Sequence, residues 1–206
     1  MAAIVGVILA GGRSSRMGGG DKSLLDLAGE PMLARIIHTL APQVDALAIN
    51  ANGDPDRFRR FGLPFLADTV PGLPGPLAGI LAGLIWAQDK HARWLVTTAG
   101  DTPFLPGDLI ARLSGDVDSR TVAVAACEGR THPVCALWPV SLMNDLDGYL
   151  RSGGSRRVVD YIARHSSSAI DFPPQRLPGG NVDPFFNVNT PDDLAEARRL
   201  LQNATS

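Results

Sequence analysis

Strand-like and helical segments alternate through the first half of the 206-residue chain, and this alternation restricts the possible folds more than any other feature. The strand-like segments are 4–9, 46–50, 64–67 and 94–98, and the helical segments are 32–40, 55–61, 77–88 and 105–113. Such alternation predicts parallel strands joined by helical crossovers. Runs 4–9 and 94–98 are almost entirely apolar or β-branched, which is typical of strands covered by helices on both faces.

The second half departs from this alternation. Two strand-like runs, 121–126 and 134–138, are separated by the polar turn 128–131, so we expect them to pair antiparallel. Further helices are predicted at 141–150 and 155–164, and a last strand is predicted near 185–188. The sequence therefore predicts an α/β fold with a mostly parallel mixed sheet, helices on both faces and an antiparallel excursion in the second half.

The C-terminal helix has a clear start signal. Thr190 is a good N-cap, Pro191 suits the first helical position, and Asp192 and Asp193 would lie in the positive first turn. Neither an internal repeat nor a low-complexity linker is found in the chain. We therefore expect residues 1–206 to form a single domain.

Composition and charge exclude several classes of function. Hydrophobic residues make up 45% and charged residues 19%, so the chain is neither a disordered tail nor a coiled coil. The formal net charge is -2, which gives no general basic field for nucleic acid or an anionic membrane. No segment has the length of a membrane span, and we expect a cytoplasmic protein. Cys127 and Cys135 lack metal-site spacing and are predicted to be buried thiols.

A glycine-rich segment follows the first strand directly. Residues 9–22 contain five glycines together with Arg13, Arg16 and Lys22. Glycines allow backbone N–H groups to converge on phosphate oxygens, and the three cations add positive charge. A flexible surface loop with scattered basic residues is the other interpretation. The position after the first strand of an α/β sheet favours phosphate binding.

Spacing argues against two well-known phosphate loops here. A Walker A loop requires Gly immediately before Lys, and Asp21 stands between Gly20 and Lys22. A dinucleotide fingerprint requires G-x-G-x-x-G, and the glycines do not follow that spacing. A P-loop NTPase and a hydride-transfer enzyme are therefore both disfavoured.

Polar residues stand at several predicted strand ends. Asp101 follows the strand 94–98 and could hold Mg²⁺ together with substrate phosphate, or it could simply cap the turn into the next helix. Further polar residues at such ends are Asn50, Asp68, Asn187 and Asn189, which could share one crevice. Taken singly, each is better explained by turn formation.

Two further features keep more than one interpretation, and the histidines indicate no site. The Pro/Gly-rich segment 71–79 could form a stiff wall for a nucleotide base or a rigid turn packed on the core. Arg156 and Arg157 could contact a second phosphate or form a solvated surface. The four histidines show no ligand spacing and support neither a metal cluster nor a His-based triad.

The motifs together resemble a known family. They are Leu9-Ala10-Gly11-Gly12, Arg16-Met17-Gly18, Asp21-Lys22, Gly75-Pro76-Leu77-Ala78-Gly79, Gly100-Asp101-Thr102-Pro103, Arg130-Thr131-His132-Pro133 and Asn187-Val188-Asn189-Thr190-Pro191. In this order, over nearly the whole chain, they resemble the molybdenum cofactor guanylyltransferase family. One departure is Ala99-Gly100, where many relatives have Pro-Cys.

The resemblance implies a Rossmann-like fold, GTP and molybdopterin as substrates, Mg²⁺ as cofactor, and transfer of GMP to molybdopterin. It places GTP contacts on Leu9, Ala10, Gly11, Gly12, Lys22, Asn50, Asp68 and Asp101, with Asp101 also as metal ligand. Arg16, Lys22 and Asp101 would be catalytic. Arg156, Arg157, Asn187 and Asn189 would face molybdopterin. Proteins of molybdenum insertion and molybdoenzyme maturation would be partners.

Two other functions stay open at this point. The first is a related nucleotidyltransferase that uses CTP or attacks with a sugar phosphate. The second is a catalytically inactive nucleotide-binding module. The first predicts pyrophosphate release with a different substrate pair, and the second predicts binding without release.

Overall fold

The computed structural model describes residues 3–11, 21–70, 75–115 and 118–202. In these ranges the strands are β1 (Ile4–Leu9), β2 (Asp26–Leu27), β3 (Glu30–Pro31), β4 (Ala46–Asn50), β5 (Phe65–Leu66), β6 (Trp94–Ala99), β7 (Val122–Cys127), β8 (Arg130–Pro139), β9 (Ser167–Asp171), β10 (Gln175–Leu177) and β11 (Gly180–Val182). The α-helices are α1 (Met32–Leu40), α2 (Pro76–Asp89), α3 (Leu109–Leu113), α4 (Met143–Arg151), α5 (Val158–Ile162) and α6 (Pro191–Leu201). Short 3-10 helices cover Lys22–Leu24, Ala41–Gln43, Pro55–Phe61 and Val140–Leu142.

The central sheet has seven strands in the order β5-β4-β1-β6-β8-β7-β9. The first four strands in this order are mutually parallel. Strand β8 runs antiparallel to both of its neighbours, β6 and β7, and the edge strand β9 pairs parallel with β7. This topology confirms the predicted mixed α/β sheet with an antiparallel excursion in its second half.

Helices cover both faces of the sheet. Val5 and Val7 of β1 belong to one buried cluster, which includes Leu81 of α2. Ile8 of the same strand belongs to a second cluster, which includes Ile36 of α1. Alternate residues of one strand therefore face opposite helical layers, as the continuous apolar run predicts.

A third buried cluster joins α6 to the small strands beside the main sheet, and it includes Leu27, Val182 and Leu194. The helix begins as predicted. Thr190 and Asp193 form a reciprocal capping box, and Pro191 is the first helical residue. The cap and the buried face together fix the C-terminal helix beside the loop that precedes it.

The turn between β7 and β8 is tighter than predicted. Only Glu128 and Gly129 form it, with φ angles of 49° and 80°, and β8 already begins at Arg130. Both cysteines of this hairpin are buried and free, as predicted. Burial raises the pKa of Cys127 to about 11 and that of Cys135 to about 12, so both are inert thiols at neutral pH.

Three predicted helices have different bounds. Segment 105–113 is α-helical only from Leu109: Pro106 disfavours the helical conformation at Leu105, and the Leu109 N–H donates to the Pro106 carbonyl in a turn. Segment 155–164 is α-helical only over Val158–Ile162, since it begins in a Gly-Gly-Ser stretch. Segment 141–150 starts with a 3-10 turn, and α4 runs from Met143 to Arg151.

The predicted strand near 185–188 is wrong. Phe185 and Val188 are buried, but the Phe186 N–H donates to the Asp183 carbonyl in a turn, and the Val188 N–H donates to the Asp101 carbonyl. The sequence analysis missed β9, which is a polar and largely exposed edge strand without an apolar pattern. It also missed the two short hairpins, β2–β3 and β10–β11.

Among the described residues, no helix combines the length and the apolar character that a membrane crossing needs.

Candidate active site

A cavity of about 700 Å³ opens at the carboxyl ends of the parallel strands. The predicted site residues that line it are Leu9, Ala10, Gly11, Lys22, Asn50, Asp68, Asp101 and Asn187. In an open parallel sheet these ends border the crevice where ligands bind. The structure therefore brings together Asn50, Asp68 and Asn187, each of which, taken singly, was better explained by turn formation.

Strand pairing continues to the rim of this cavity. The Ala10 N–H donates to the Asn50 carbonyl over 2.8 Å, and the Gly100 N–H donates to the Leu9 carbonyl over 2.9 Å. The ends of β1, β4 and β6 are therefore held side by side. The backbone from which the cavity side chains extend is therefore held in place, which is a condition for a precise binding site.

An ion pair spans the cavity floor. The Lys22 Nζ atom lies 2.7 Å from Asp101 Oδ2, and both side chains are less than one-fifth exposed. Lys22 also donates to Asn189 Oδ1 over 2.7 Å. An ammonium group has three N–H donors, and Lys22 uses two of them in bonds to residues that the structure describes.

Asn187 completes what we call the lysine cluster, which consists of Lys22, Asp101, Asn187 and Asn189. The Asn187 amide donates to Asp101 Oδ1 over 2.9 Å, so each carboxylate oxygen of Asp101 accepts a hydrogen bond. These bonds fix the orientation of the Asp101 carboxylate before any ligand arrives.

The backbone next to the lysine cluster is anchored by the start of α6. The Asn189 N–H donates to Asp193 Oδ2 over 2.9 Å. Burial alone would raise the pKa of Asp193, but hydrogen bonds from Asn189 and Thr190, with a smaller contribution from the Lys22 charge, bring it below its usual value. Asp193 is therefore ionised at neutral pH and holds the chain at Asn189.

The loop that carries Asn187 is also held in place by contacts with His132. The Nε2 atom of the buried His132 side chain lies 3.0 Å from Asp183 Oδ2, and its ring packs 5.0 Å from the Phe185 ring. Burial lowers the pKa of His132 more than the Asp183 charge raises it, so the imidazole is neutral at pH 7. This histidine packs against the loop and does not line the cavity.

A second polar group, the amide cluster, consists of Asn50, Asn52 and Asp68. The Asn50 amide donates to Asp68 Oδ1 over 3.0 Å, and the Asn52 amide donates to Asp68 Oδ2 over 2.6 Å. Asn52 Oδ1 accepts the Asp68 N–H over 3.0 Å, so one side chain holds both the backbone and the carboxylate of Asp68. The hydrogen-bond partners of this carboxylate are neutral amides.

The N-terminus of α2 forms one wall of the cavity. Gly75 has a φ of 138°, which favours glycine, and it precedes Pro76 at the first helical position. A Cβ atom at Gly79 would overlap Asn50 Oδ1 and lie 2.9 Å from Leu9 Cδ2. Glycine at this position therefore allows the helix backbone to lie directly against Asn50.

The departure at Ala99-Gly100 leaves the carboxylate in place. A Cβ atom on Gly100 would lie 3.0 Å from the Ala10 Cα atom and 3.2 Å from Ser23 Cβ. The backbone of β6 therefore approaches the end of β1 more closely than a side chain would comfortably allow.

Some predicted residues fall elsewhere. Gly12 and Arg16, as well as the first part of the Pro/Gly segment (71–74), lie outside the described residues. Arg156 and Arg157 have exposed side chains that do not line the cavity, although the Arg156 carbonyl lies 3.8 Å from the position of a Cβ on Gly75. In the described ranges, no group of three or more His, Cys, Asp or Glu side chains is placed to hold a metal ion.

Comparison with known proteins assigns the family. The MobA-like NTP transferase domain matches residues 6–168. A protein from Mesorhizobium japonicum named molybdenum cofactor guanylyltransferase is 52% identical over 98% of this chain and 98% of its own length. Another of the same name from Cereibacter sphaeroides is 47% identical over 97% of both chains.

The chain belongs to the molybdenum cofactor guanylyltransferase family.

Solved structures confirm the fold of this guanylyltransferase family member. The molybdopterin-guanine dinucleotide biosynthesis protein A from Archaeoglobus fulgidus is 22% identical, with a TM-score of 0.71 over 95% of this chain and 96% of that chain. A 4-diphosphocytidyl-2C-methyl-D-erythritol synthase from Anaerococcus prevotii has a TM-score of 0.73 at 12% identity, over 98% of this chain and 97% of that chain. Because both share the fold, the fold alone does not determine the base of the nucleotide.

Sequence reasoning missed four polar residues of the cavity, one of which is Ser23. Asn52, Asp21 and Arg57 all line it, and Arg57 Nη1 contacts both carboxylate oxygens of Asp21 at 2.7 and 2.8 Å. Asn52 could have been noted from its position two residues after Asn50. Nothing in the local sequence indicates that Arg57 pairs with a residue 36 positions away.

Proposed function

We propose that this guanylyltransferase family member transfers GMP from GTP to molybdopterin and releases pyrophosphate. The proposal includes Mg²⁺ as cofactor, a cytoplasmic location, and delivery of the product to proteins that mature molybdoenzymes, all of which are expectations from the family resemblance. The observation that carries the proposal is the Lys22–Asp101 ion pair on the cavity floor, 2.7 Å long and joining residues 79 positions apart. The relatives' name supplies the two substrates.

The two clusters orient the nucleotide. Lys22 is a cation and suits the phosphates, whereas the amide cluster has a net negative charge and would repel them. Asp68 therefore suits the N–H or O–H donors of the nucleoside. The two clusters follow strands on the order of 10 Å apart across the sheet, which is enough for an extended nucleotide.

The backbone at the end of β1 contributes selectivity in this proposal. Leu9, Ala10 and Gly11 line the cavity, and small residues let the base approach their backbone groups closely. Guanine offers N1–H, an N2 amine and O6, and adenine would leave some of these protein groups unpaired. Each unpaired buried group costs about 1–3 kcal/mol, so two would give a preference of about a hundredfold.

The donor set of the lysine cluster fits Mg²⁺. The ion commonly uses one or two carboxylates and completes its coordination with water and substrate phosphate, so Asp101 with a bound triphosphate would suffice. When bound, the ion would neutralise phosphate charge during transfer. Lys22 and the metal would share the Asp101 carboxylate, since Oδ2 now accepts the lysine bond.

The reaction itself requires little covalent help from the protein. The attacking phosphate oxygen of molybdopterin is already ionised, so no general base is needed. A new bond forms from this oxygen to the α-phosphorus while the bond to the pyrophosphate oxygen breaks. The obstacle is repulsion between anions, and Lys22 and the cavity backbone N–H groups lower it by positioning and by charge.

The acceptor would enter from the side of α6. Asn187 contacts Asp101 and lines the cavity, and Asn189 contacts Lys22, so both lie beside the proposed position of the phosphates. Arg156 and Arg157 are exposed, and the Arg156 backbone lies close to Gly75, which lines the cavity. In this proposal the two arginines meet the molybdopterin phosphate as it approaches.

Pyrophosphate release with GTP and with molybdopterin, alone and together, tests the proposal. We expect release only with both substrates, and far less with ATP or CTP. The Lys22→Ala variant should release pyrophosphate much more slowly if release depends on this cavity. Preference for CTP would contradict guanylyl transfer, and release only with a sugar phosphate would contradict molybdopterin as acceptor. Nucleotide binding without release under any combination would indicate an inactive binding module.

A further inference from the structure

Arg57 connects the two sides of the cavity. Its Nη1 group donates to both carboxylate oxygens of Asp21, its Nη2 group donates to the Asn52 carbonyl over 2.6 Å, and its Nε group donates to the Asp54 carbonyl over 2.9 Å. Four hydrogen bonds from one guanidinium form a rigid fork that no other cationic side chain reproduces.

The first partner of Arg57 stands next to the catalytic lysine. Asp21 precedes Lys22 and occupies the N-cap position of the 3-10 turn Lys22–Leu24, but its side chain makes no capping bond. Instead the carboxylate, only 11% exposed, is paired with Arg57. Asp21 therefore does not cap its own turn, and its side chain instead holds this turn against the loop that carries Arg57.

The second partner stands next to the amide cluster. Arg57 holds the Asn52 carbonyl, and the Asn52 side chain in turn holds Asp68 through two hydrogen bonds. One unbroken series of bonded groups therefore runs from the segment before Lys22 to Asp68. The side chains at both ends line the same cavity.

We propose that Arg57 is a positioning residue that sets the distance between the phosphate side and the nucleoside side of the nucleotide site. It acts through Asp21 on Lys22 and through Asn52 on Asp68. The inference rests on the proposed orientation of GTP, and it adds that both halves of the nucleotide are aligned by one arginine that transfers no proton and touches no reacting atom.

Binding measurements distinguish the effect of Arg57 on Lys22, through Asp21, from its effect on Asp68, through Asn52. Titration calorimetry with GTP reports both sides of the site, and inorganic tripolyphosphate reports the Lys22 side alone. We expect Arg57→Ala to weaken the binding of both probes about tenfold, because a small displacement of a binding group is costly. Asn52→Ala should weaken the binding of GTP and leave that of tripolyphosphate unchanged. A general loss of structure would not produce this pattern.

A double-mutant cycle tests the route through Asp21. If Arg57 acts on the phosphate side through Asp21, then Arg57→Ala, Asp21→Ala and the double variant should all weaken tripolyphosphate binding to a similar extent, about tenfold. Arg57→Lys should restore less than half of the loss. Arg59→Ala, an exposed arginine on the same 3-10 helix, is the matched control and should bind both probes like the unmodified protein.

Three outcomes would overturn the inference. The first is Arg57→Ala binding both probes as tightly as Arg59→Ala. The second is a double variant whose loss is the product of the two single losses, about a hundredfold. The third is unmodified protein that binds neither GTP nor tripolyphosphate. Protein that binds GTP with the expected pattern but releases no pyrophosphate would contradict the proposed transfer and leave the positioning role of Arg57 supported.

Discussion

The lysine cluster and the amide cluster face the same cavity but are built in opposite ways. The lysine cluster draws on residue 22, residue 101 and residues 187–189, and an ion pair lies at its centre. The amide cluster comes from residues 50–68 and surrounds one carboxylate with neutral donors. In the proposed function the charged groups of the first cluster also interact with phosphate and metal, whereas the carboxylate of the second recognises the nucleoside. Substitutions should therefore affect catalysis in the first and recognition in the second.

The largest effect is expected at Asp101. The Asp101→Ala variant should lose on the order of 10³-fold or more in turnover, because it removes both the proposed metal ligand and the partner of Lys22. The fold should be retained, since a residue at a strand end contributes little to the core. Pyrophosphate release over a range of Mg²⁺ concentrations, with a thermal melt, measures both.

Asp108→Ala is a suitable control for this experiment. Asp108 is an exposed carboxylate in the same connection between β6 and α3, and its partner is Arg112 at 3.8 Å. This control should retain full turnover. Near-normal activity of Asp101→Ala at limiting Mg²⁺ would show that Asp101 does not hold the metal. The proposed difference in function between the two clusters would then be smaller.

The next largest effect is expected at Lys22. We expect Lys22→Ala to lower kcat/KM for GTP by about 10²-fold, because a charge-assisted bond to phosphate contributes about 1.5–3 kcal/mol and more where charge develops. Lys22→Arg should restore activity only in part, since a planar fork does not replace a compact ammonium. Lys90→Ala, at the exposed end of α2, is the control. Full activity of Lys22→Ala would show that the glycine-rich segment ending at Lys22 has only a structural role.

The parts of the site that could be predicted from sequence are those with local signals. The strand β1 and the glycines after it indicated a phosphate site, and the topology of a parallel sheet indicated that Asp101, Asn50 and Asp68 could share one crevice. The pairing of Arg57 with Asp21 could not be predicted, because it depends on how two loops lie against each other. Only the folded chain contains that information.

The fold shows the same limit. The buried strands β1 and β6 were located within a residue of their bounds, since their apolar runs are unambiguous. The run 185–188 is also mostly apolar, but it is a loop in which Phe185 and Val188 are buried, so it was wrongly predicted as a strand. β9 was missed for the opposite reason, because an exposed edge strand carries no apolar pattern.

A smaller and more selective effect is expected at Asp68. The Asp68→Asn variant keeps the shape of the side chain but removes its charge, so GTP affinity should fall about tenfold through weaker charge-assisted bonds. Binding of inorganic tripolyphosphate should not change. Calorimetry with the two ligands measures the difference. An equal loss for both would show that the amide cluster also contacts phosphate, and the functional contrast between the clusters would disappear.

The smallest effect is expected at Thr190, which affects the lysine cluster only through the backbone. Thr190 Oγ1 accepts the Asp193 N–H over 3.1 Å, and Asp193 Oδ2 accepts the N–H groups of both Thr190 and Asn189. Thr190→Ala removes one of these bonds and should lower the free energy of unfolding by about 1 kcal/mol, whereas Thr190→Ser should retain it. Urea denaturation measures the loss. Because Asp193 still holds Asn189, kcat should change less than twofold. A large fall in kcat without a loss of stability would mean that the cap itself aligns Lys22, and the lysine cluster would then depend on α6 more than its side-chain contacts indicate.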